Sequence, residues 1–202
     1  MAARSCEWPA AIKWSGKGRH TGPTCKLEIR GEESALPYLE TEVKNGKLHV
    51  YFSRNVYDVD HLVITVTAPA FAAFDIDGSA SVVAHDPLDG ASLHIDIFGS
   101  GSVALHDVAY DQAWLDLSGS DDVLLKGSVV QNIDFEVSGS GNLDALDCPT
   151  PKANVEVSGS GQVKCQVQEA LRARVSGSGD VFYAGNPVLD VEISGSGKVR
   201  KL

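Results

Sequence analysis

From Phe71 to the C-terminus, apolar side chains recur at every second position, and the alternation restarts at a nearly constant step. Aligned on a glycine-serine pair, the position two before the glycine is Ile76, Ile97, Leu117, Val137, Val157, Val175 and Ile193, and the position four before it is Phe74, Ile95, Leu115, Phe135, Val155, Ala173 and Val191. Four after it come Val82, Val103, Val123, Leu143, Val163, Val181 and Val199. Polar columns stand between them, such as Asp96, Asp116, Glu136, Glu156, Arg174 and Glu192. A period of two is the mark of a strand with one buried face. No helix-period segment separates the copies, so the pattern predicts coils that stack on one another as parallel strands.

The glycines of the repeat are Gly78, Gly99, Gly119, Gly139, Gly159, Gly177 and Gly195, at steps of 21, 20, 20, 20, 18 and 18. A disordered spacer keeps no such register, so VSGSG reads as a corner. The prediction is an all-β, single-stranded parallel β-helix with GSG corners and 18 to 21 residues per coil, right-handed by the general preference of parallel crossovers. Six steps of one strand spacing lift the chain by roughly 29 Å. Parity turns the glycines inward and Ser79, Ser100, Ser120, Ser140, Ser160, Ser178 and Ser196 outward, where hydroxyls can bond from coil to coil. At the first glycine a sharp corner leaves no room for Cβ, or demands φ > 0. The second glycine becomes Ala80 and Asp121, a tolerance read as the ease with which Asp visits the left-handed region. DCPTPKA (147–153) and AGNP (184–187) carry the turn residues of a looser opposite corner.

Residues 26–70 lack the repeat but keep strand signals: KLEIR, TEVKNGKLHVYF with a turn at Asn45-Gly46, and HLVITVTAP. They are expected to cap or begin the same solenoid. The division is thus a segment 1–25 of unclear role and one β-helix domain, 26–202, whose seven cornered coils occupy 71–202. With 202 residues, 43 % of them hydrophobic, the chain can build its core without metal or disulfide help. Cys6, Cys25, Cys148 and Cys165 have no CxxC spacing, and no cofactor is expected. Net charge is −10, and from Phe71 onward 8 basic residues face 19 acidic ones, which disfavours nucleic acid and anionic membrane. No stretch of about 18 apolar residues predicts a transmembrane segment, and MAARSCEWPAAIKW has no apolar core of a signal peptide.

Candidate chemistry is sparse. His85-Asp86 and His106-Asp107 occupy the same place in successive coils, so two imidazoles and two carboxylates could approach a divalent metal; repeated solvated turn residues explain them better. Asp96, Asp116, Glu136 and Glu156 stack like charges that could recruit calcium, with Arg172 and Arg174 as catalytic groups; a solvated face relieved by Arg174 between Glu156 and Glu192 is favoured. The serine column offers a flat hydroxyl array for ice or glycan, against which an incidental corner weighs more. Trp114 and Tyr110 could form a sugar platform if exposed. No phosphate-binding loop and no set of nucleophile, base and orienter is visible, so no catalytic residue is assigned and no enzyme is expected.

LPYLETEVKNGKLHVYF, VTAP before the first coil, the seven corners and the ending SGSGDVFYAGNPVLDVEISGSGKVRKL together resemble the family of putative adhesins with a head GIN domain, found mainly in Bacteroidetes. The likeness runs from about Cys25 to Leu202. It implies a pectin-lyase-like right-handed β-helix, exported or attached at the cell surface or in the envelope. It further implies a non-enzymatic adhesive module whose partners are surface glycans or host or matrix proteins. A pectin-lyase-like enzyme acting on polysaccharide is the alternative, and a structural spacer a third. Lys198, Arg200 and Lys201 on the last strand argue against end-to-end filaments.

Overall fold

The computed structural model describes residues 25–44, 47–54, 62–127 and 131–202. Before residue 71 the chain makes two antiparallel pairs: β1 (Lys26–Arg30) with β4 (Val63–Thr67), and β2 (Leu39–Lys44) with β3 (Lys47–Phe52). The Asn45-Gly46 turn between β2 and β3 lies outside the described residues, as does the segment 1–24. Beyond residue 71, eleven strands join one parallel ladder: β5 (Ala73–Gly78), β6 (Ser81–Ala84), β7 (Leu88–Gly99), β8 (Ser102–Gly119), β9 (Asp122–Gly127), β10 (Asn132–Val137), β11 (Asn142–Val157), β12 (Gln162–Gly177), β13 (Asp180–Ala184), β14 (Val188–Gly195) and β15 (Lys198–Lys201). The seven corners bound about six turns of a β-solenoid.

The register is the one the repeat requires. Ile76 pairs with Ile97, Ile97 with Leu117, Leu117 with Val137, Val137 with Val157, Val157 with Val175 and Val175 with Ile193. Like stacks on like, and the inward columns form one continuous core in which Ile95, Leu105, Leu117, Ile133, Val155, Val163 and Ala173 are fully enclosed. Cys165 belongs to this packing, one rung above Ala145, and Cys148 is also buried. Removal from water pushes the two thiols up to about 12 and about 11 respectively, so neither is a reactive nucleophile.

The corner works by a different contact from the one expected. Every first glycine except Gly78 is crowded from the coil beneath it: a Cβ on Gly139 would lie 2.3 Å from the carbonyl oxygen of Gly119. That carbonyl accepts a hydrogen bond from the Ser140 N–H at 2.7 Å, and the same rung recurs from Ser100 to Ser196 at 2.7 to 2.9 Å. The coil-to-coil bonds of the serine column are therefore made by its backbone, while its hydroxyls face solvent. Gly78 has no coil below it and open space around a would-be Cβ; there a φ of +107° makes the residue glycine.

The second glycine faces the core: a Cβ on Gly101 would meet the Ile97 and Ile76 methyls at 2.8 and 2.9 Å. Asp121, at this position, is fully enclosed, and what holds it is a hydrogen bond: its Oδ1 accepts from the Gly101 N–H at 3.1 Å, while among the described residues Oδ2 has no partner. Burial raises its carboxyl above the usual range, helped by the charge of Asp122 and opposed by the Gly101 bond.

The opposite corner is less of a loop than its turn residues suggest. β8, β11 and β12 run through it as single strands of 16 to 18 residues, and β11 carries DCPTPKA with register shifts between Ala145 and Lys152. AGNP does break the chain between β13 and β14, and Gly185 takes φ +99° there.

Candidate functional site

One outward face of the solenoid gathers the chemistry that the packing leaves over. Strands β5, β7, β8, β10 and β11 present Asp75, Asp96, Asp116, Glu136 and Glu156 as one ladder, each carboxylate paired in register with the next. Residues on neighbouring parallel strands sit about 4.8 Å apart, so like charges repel along the whole column. Partial burial lifts the Asp96 carboxyl above its ordinary range, and Asp75 and Asp116 on either side add to the lift. The column is relieved at both ends: Lys47 of β3 approaches Asp75 at 3.5 Å, and Arg174 spans Glu156 at 3.4 Å and Glu192 at 3.3 Å.

Aromatic rings flank this ladder. On one side His94 and Trp114 stack with centroids 4.6 Å apart and planes 11° from parallel. On the other, Phe98 stands 69 % exposed in a column otherwise made of Asp77, Ser118, Ser138, Ser158, Ser176 and Ser194. On the Phe98 side of the ladder lies an open groove of about 400 Å³, lined by Asp75, Asp77, Asp96, Asp116, Phe98 and Ser118 with the backs of Ile76 and Ile97. Carboxylates accept hydrogen bonds from hydroxyls or ammonium groups, and a solvent-facing phenyl offers a flat apolar surface. A second groove, of about 450 Å³, runs across the opposite side over Asp122, Asn142 and Gln162, without an aromatic ring; there Asn142 donates to Asp122 at 3.0 Å.

The residues singled out from the pattern fare differently. His85 and His106 do meet, stacked at 4.6 Å, and Asp86 and Asp107 follow them on the same bend. Among the described residues, however, no group of three or more His, Cys, Asp and Glu side chains is placed to hold a metal ion. Tyr110 is enclosed and donates its hydroxyl to the Phe71 carbonyl at 2.6 Å, so it is packing and not platform; burial pushes its phenol well above the usual range. Trp114 is half-buried under His94. Arg172 pairs with Asp190 at 3.5 Å.

Phe98, His94 and Asp75 were not picked out from the sequence, although a phenyl in a column of serines was the available signal. No described helix is long and apolar enough to cross a membrane.

The sequence profile of the family described as "putative auto-transporter adhesin, head GIN domain" matches residues 20–187. Among solved structures, the chain is similar to a putative adhesin from Bacteroides fragilis NCTC 9343, with a TM-score of 0.83 at 23 % identity over 89 % of this chain and 83 % of that one. A putative lipid binding protein from Parabacteroides distasonis ATCC 8503 follows at TM-score 0.76 and 25 % identity, over 98 % and 89 %. A putative adhesin from the same strain gives TM-score 0.66 at 22 % identity, over 88 % and 84 %. Among curated proteins, none matches the chain.

Proposed function

We propose that this chain, which belongs to the head GIN domain family of putative auto-transporter adhesins, is a non-enzymatic binding module of the cell surface or envelope whose working face is the carboxylate ladder with its aromatic borders. The observation that carries this reading is Phe98, held 69 % exposed beside Asp75, Asp96 and Asp116 in a groove of about 400 Å³. An apolar ring with hydrogen-bond acceptors around it suits a neutral glycan or the lysines of a host or matrix protein, and the negative column disfavours sulfated or uronate-rich chains. Glycan and matrix-protein arrays test it. Hits concentrated among neutral or basic ligands, and weakened about tenfold or more by Phe98→Ala, support the reading; binding indifferent to that substitution removes the site, and an empty array removes adhesion.

The relative described as lipid binding suggests an acyl ligand, but the solenoid interior here is filled by its own side chains. One observation favours a second reading, action on polysaccharide: Asp96 holds its proton more tightly than a free carboxyl and stands between two others, as acid and base groups of glycoside-cleaving enzymes do. Release of reducing ends or unsaturated products from a polysaccharide panel, lost in Asp96→Asn, would establish that activity in place of simple binding.

A further inference from the structure

We propose that the groove beside Phe98 takes an extended segment of a partner polypeptide, with a lysine seated among Asp75, Asp96 and Asp116 and an apolar side chain two positions away laid on the Phe98 ring. This rests on the carboxylate face being the working face, and it narrows what that face holds.

The groove is apolar at its floor and acidic at its rim. Ile76 and Ile97 back it, Phe98 stands 69 % exposed in it, and every charged side chain that lines it, Asp75, Asp77, Asp96 and Asp116, is an acid. Covering the ring removes apolar surface from water. Whatever covers it is also asked for positive charge, because the ladder carboxylates repel one another at a strand spacing of about 4.8 Å. Among the described residues, ion pairs relieve only the ends of the ladder, Lys47 at Asp75 and Arg174 at Glu156, and none reaches Asp96 or Asp116.

A neutral sugar meets half of that demand. Its hydroxyls donate as well as accept, whereas ionised carboxylates only accept, and it leaves the charge of the rim as it was. A lysine meets both halves: its methylene stem lies along apolar surface while the ammonium donates to the carboxylates and balances them. The chain makes this contact once already. In β3 the side chain of Leu48 is buried in the apolar cluster with Phe71, and Lys47 beside it donates to Asp75 at 3.5 Å. The partner segment repeats on the next rungs what β3 does at the first.

Spacing sets the sequence such a segment carries. Along β7 the residues His94, Asp96 and Phe98 all face outward, and alternate residues of a strand stand roughly 6.6 Å apart. An extended peptide laid along the rung has the same period. Its lysine over Asp96 therefore brings the residue two positions on over Phe98, while Asp75 and Asp116 flank the ammonium from the rungs on either side. The signature is a lysine and an apolar residue separated by one position.

Fluorescence anisotropy of the full chain with dye-labelled peptides tests this. The probes are a peptide repeating Thr-Lys-Thr-Leu, a second with glutamine in place of lysine, and a third with threonine in place of leucine. The first is expected to bind, and the glutamine peptide to bind at least about tenfold more weakly. Phe98→Ala is expected to weaken the first peptide roughly tenfold and the threonine peptide little, since only the first has a side chain for the ring. Asp96→Asn with Asp116→Asn is expected to weaken both lysine peptides and flatten their salt dependence. All three substituted side chains face solvent, and an unchanged far-UV circular dichroism spectrum checks the fold. Equal binding of the lysine and glutamine peptides, or an equal loss for both lysine peptides in Phe98→Ala, overturns the proposal. A neutral oligosaccharide that binds and is lost in Phe98→Ala, while no peptide binds, keeps the working face and overturns this occupant; binding of every probe indifferent to Phe98 removes the face as well.

Discussion

Glycine at the first corner position answers to two physical demands, and they separate along the chain. At Gly139 the demand is room: a methyl would press on the Gly119 carbonyl that already accepts the Ser140 N–H. Gly139→Ala is therefore expected to cost ~2 to 3 kcal/mol, read as a fall in the urea midpoint. At Gly78 the demand is only a φ of +107°, and Gly78→Ala should cost less, about 1 to 2 kcal/mol. The invariance of the glycine was legible in the residues; its cause was not, because crowding by the next coil's carbonyl is a property of stacking and leaves no mark in any one coil. Asp121 shows the same gap. Its place in the glycine column was plain, but its enclosure with one unpartnered oxygen was not. Because the folded state raises the Asp121 pKa, the residue favours folding below the pKa of the unfolded chain, near 3.9, and this contribution is lost as pH rises through the folded value. Asp121→Asn is expected to raise stability at pH 7.5 by about 1 kcal/mol, in the range of an unsatisfied buried polar group. Thermal melts across pH check it: the gain should shrink toward pH 4, and a constant gain would contradict the assignment.

For the strands, the inward columns could be read in full because each residue keeps its role in every copy; Ile76 to Val175 shows no exception among its six buried members. The outward columns could be read only where charge repeated. Asp96, Asp116, Glu136 and Glu156 were found, while Asp75 was passed over as the first rung and Phe98 because it occurs once. The second bend resisted reading for a related reason: Pro149 and Pro151 look like a loop, yet β11 carries them across register shifts as one strand. The carboxylate ladder carries its own pH signature. Asp96 is raised in the folded state by burial and by Asp75 and Asp116, so the column favours folding in acid and costs stability as pH climbs through the folded value. Asp96→Asn should raise the melting temperature at pH 7 and have little effect at pH 3.5; an unshifted melt at neutral pH would mean that Lys47 and solvent already cancel the repulsion.

From Phe71 onward the molecule is a stack whose sides are mostly negative, with 19 acidic residues against 8 basic ones. Period and column composition made the solenoid legible from the chain alone, and family membership agrees with it. The ligand was not legible, since a binding face here is whatever the outward columns happen to carry once the core and the corners are satisfied. The ladder of serine N–H groups to glycine carbonyls has one more consequence. Every rung refers only to the rung beneath it, and nothing in a middle storey registers how many lie above or below. Duplicating or deleting a single coil in the gene would then lengthen or shorten the shaft while leaving every other floor as it was, so reach can evolve separately from whatever the outer wall recognises.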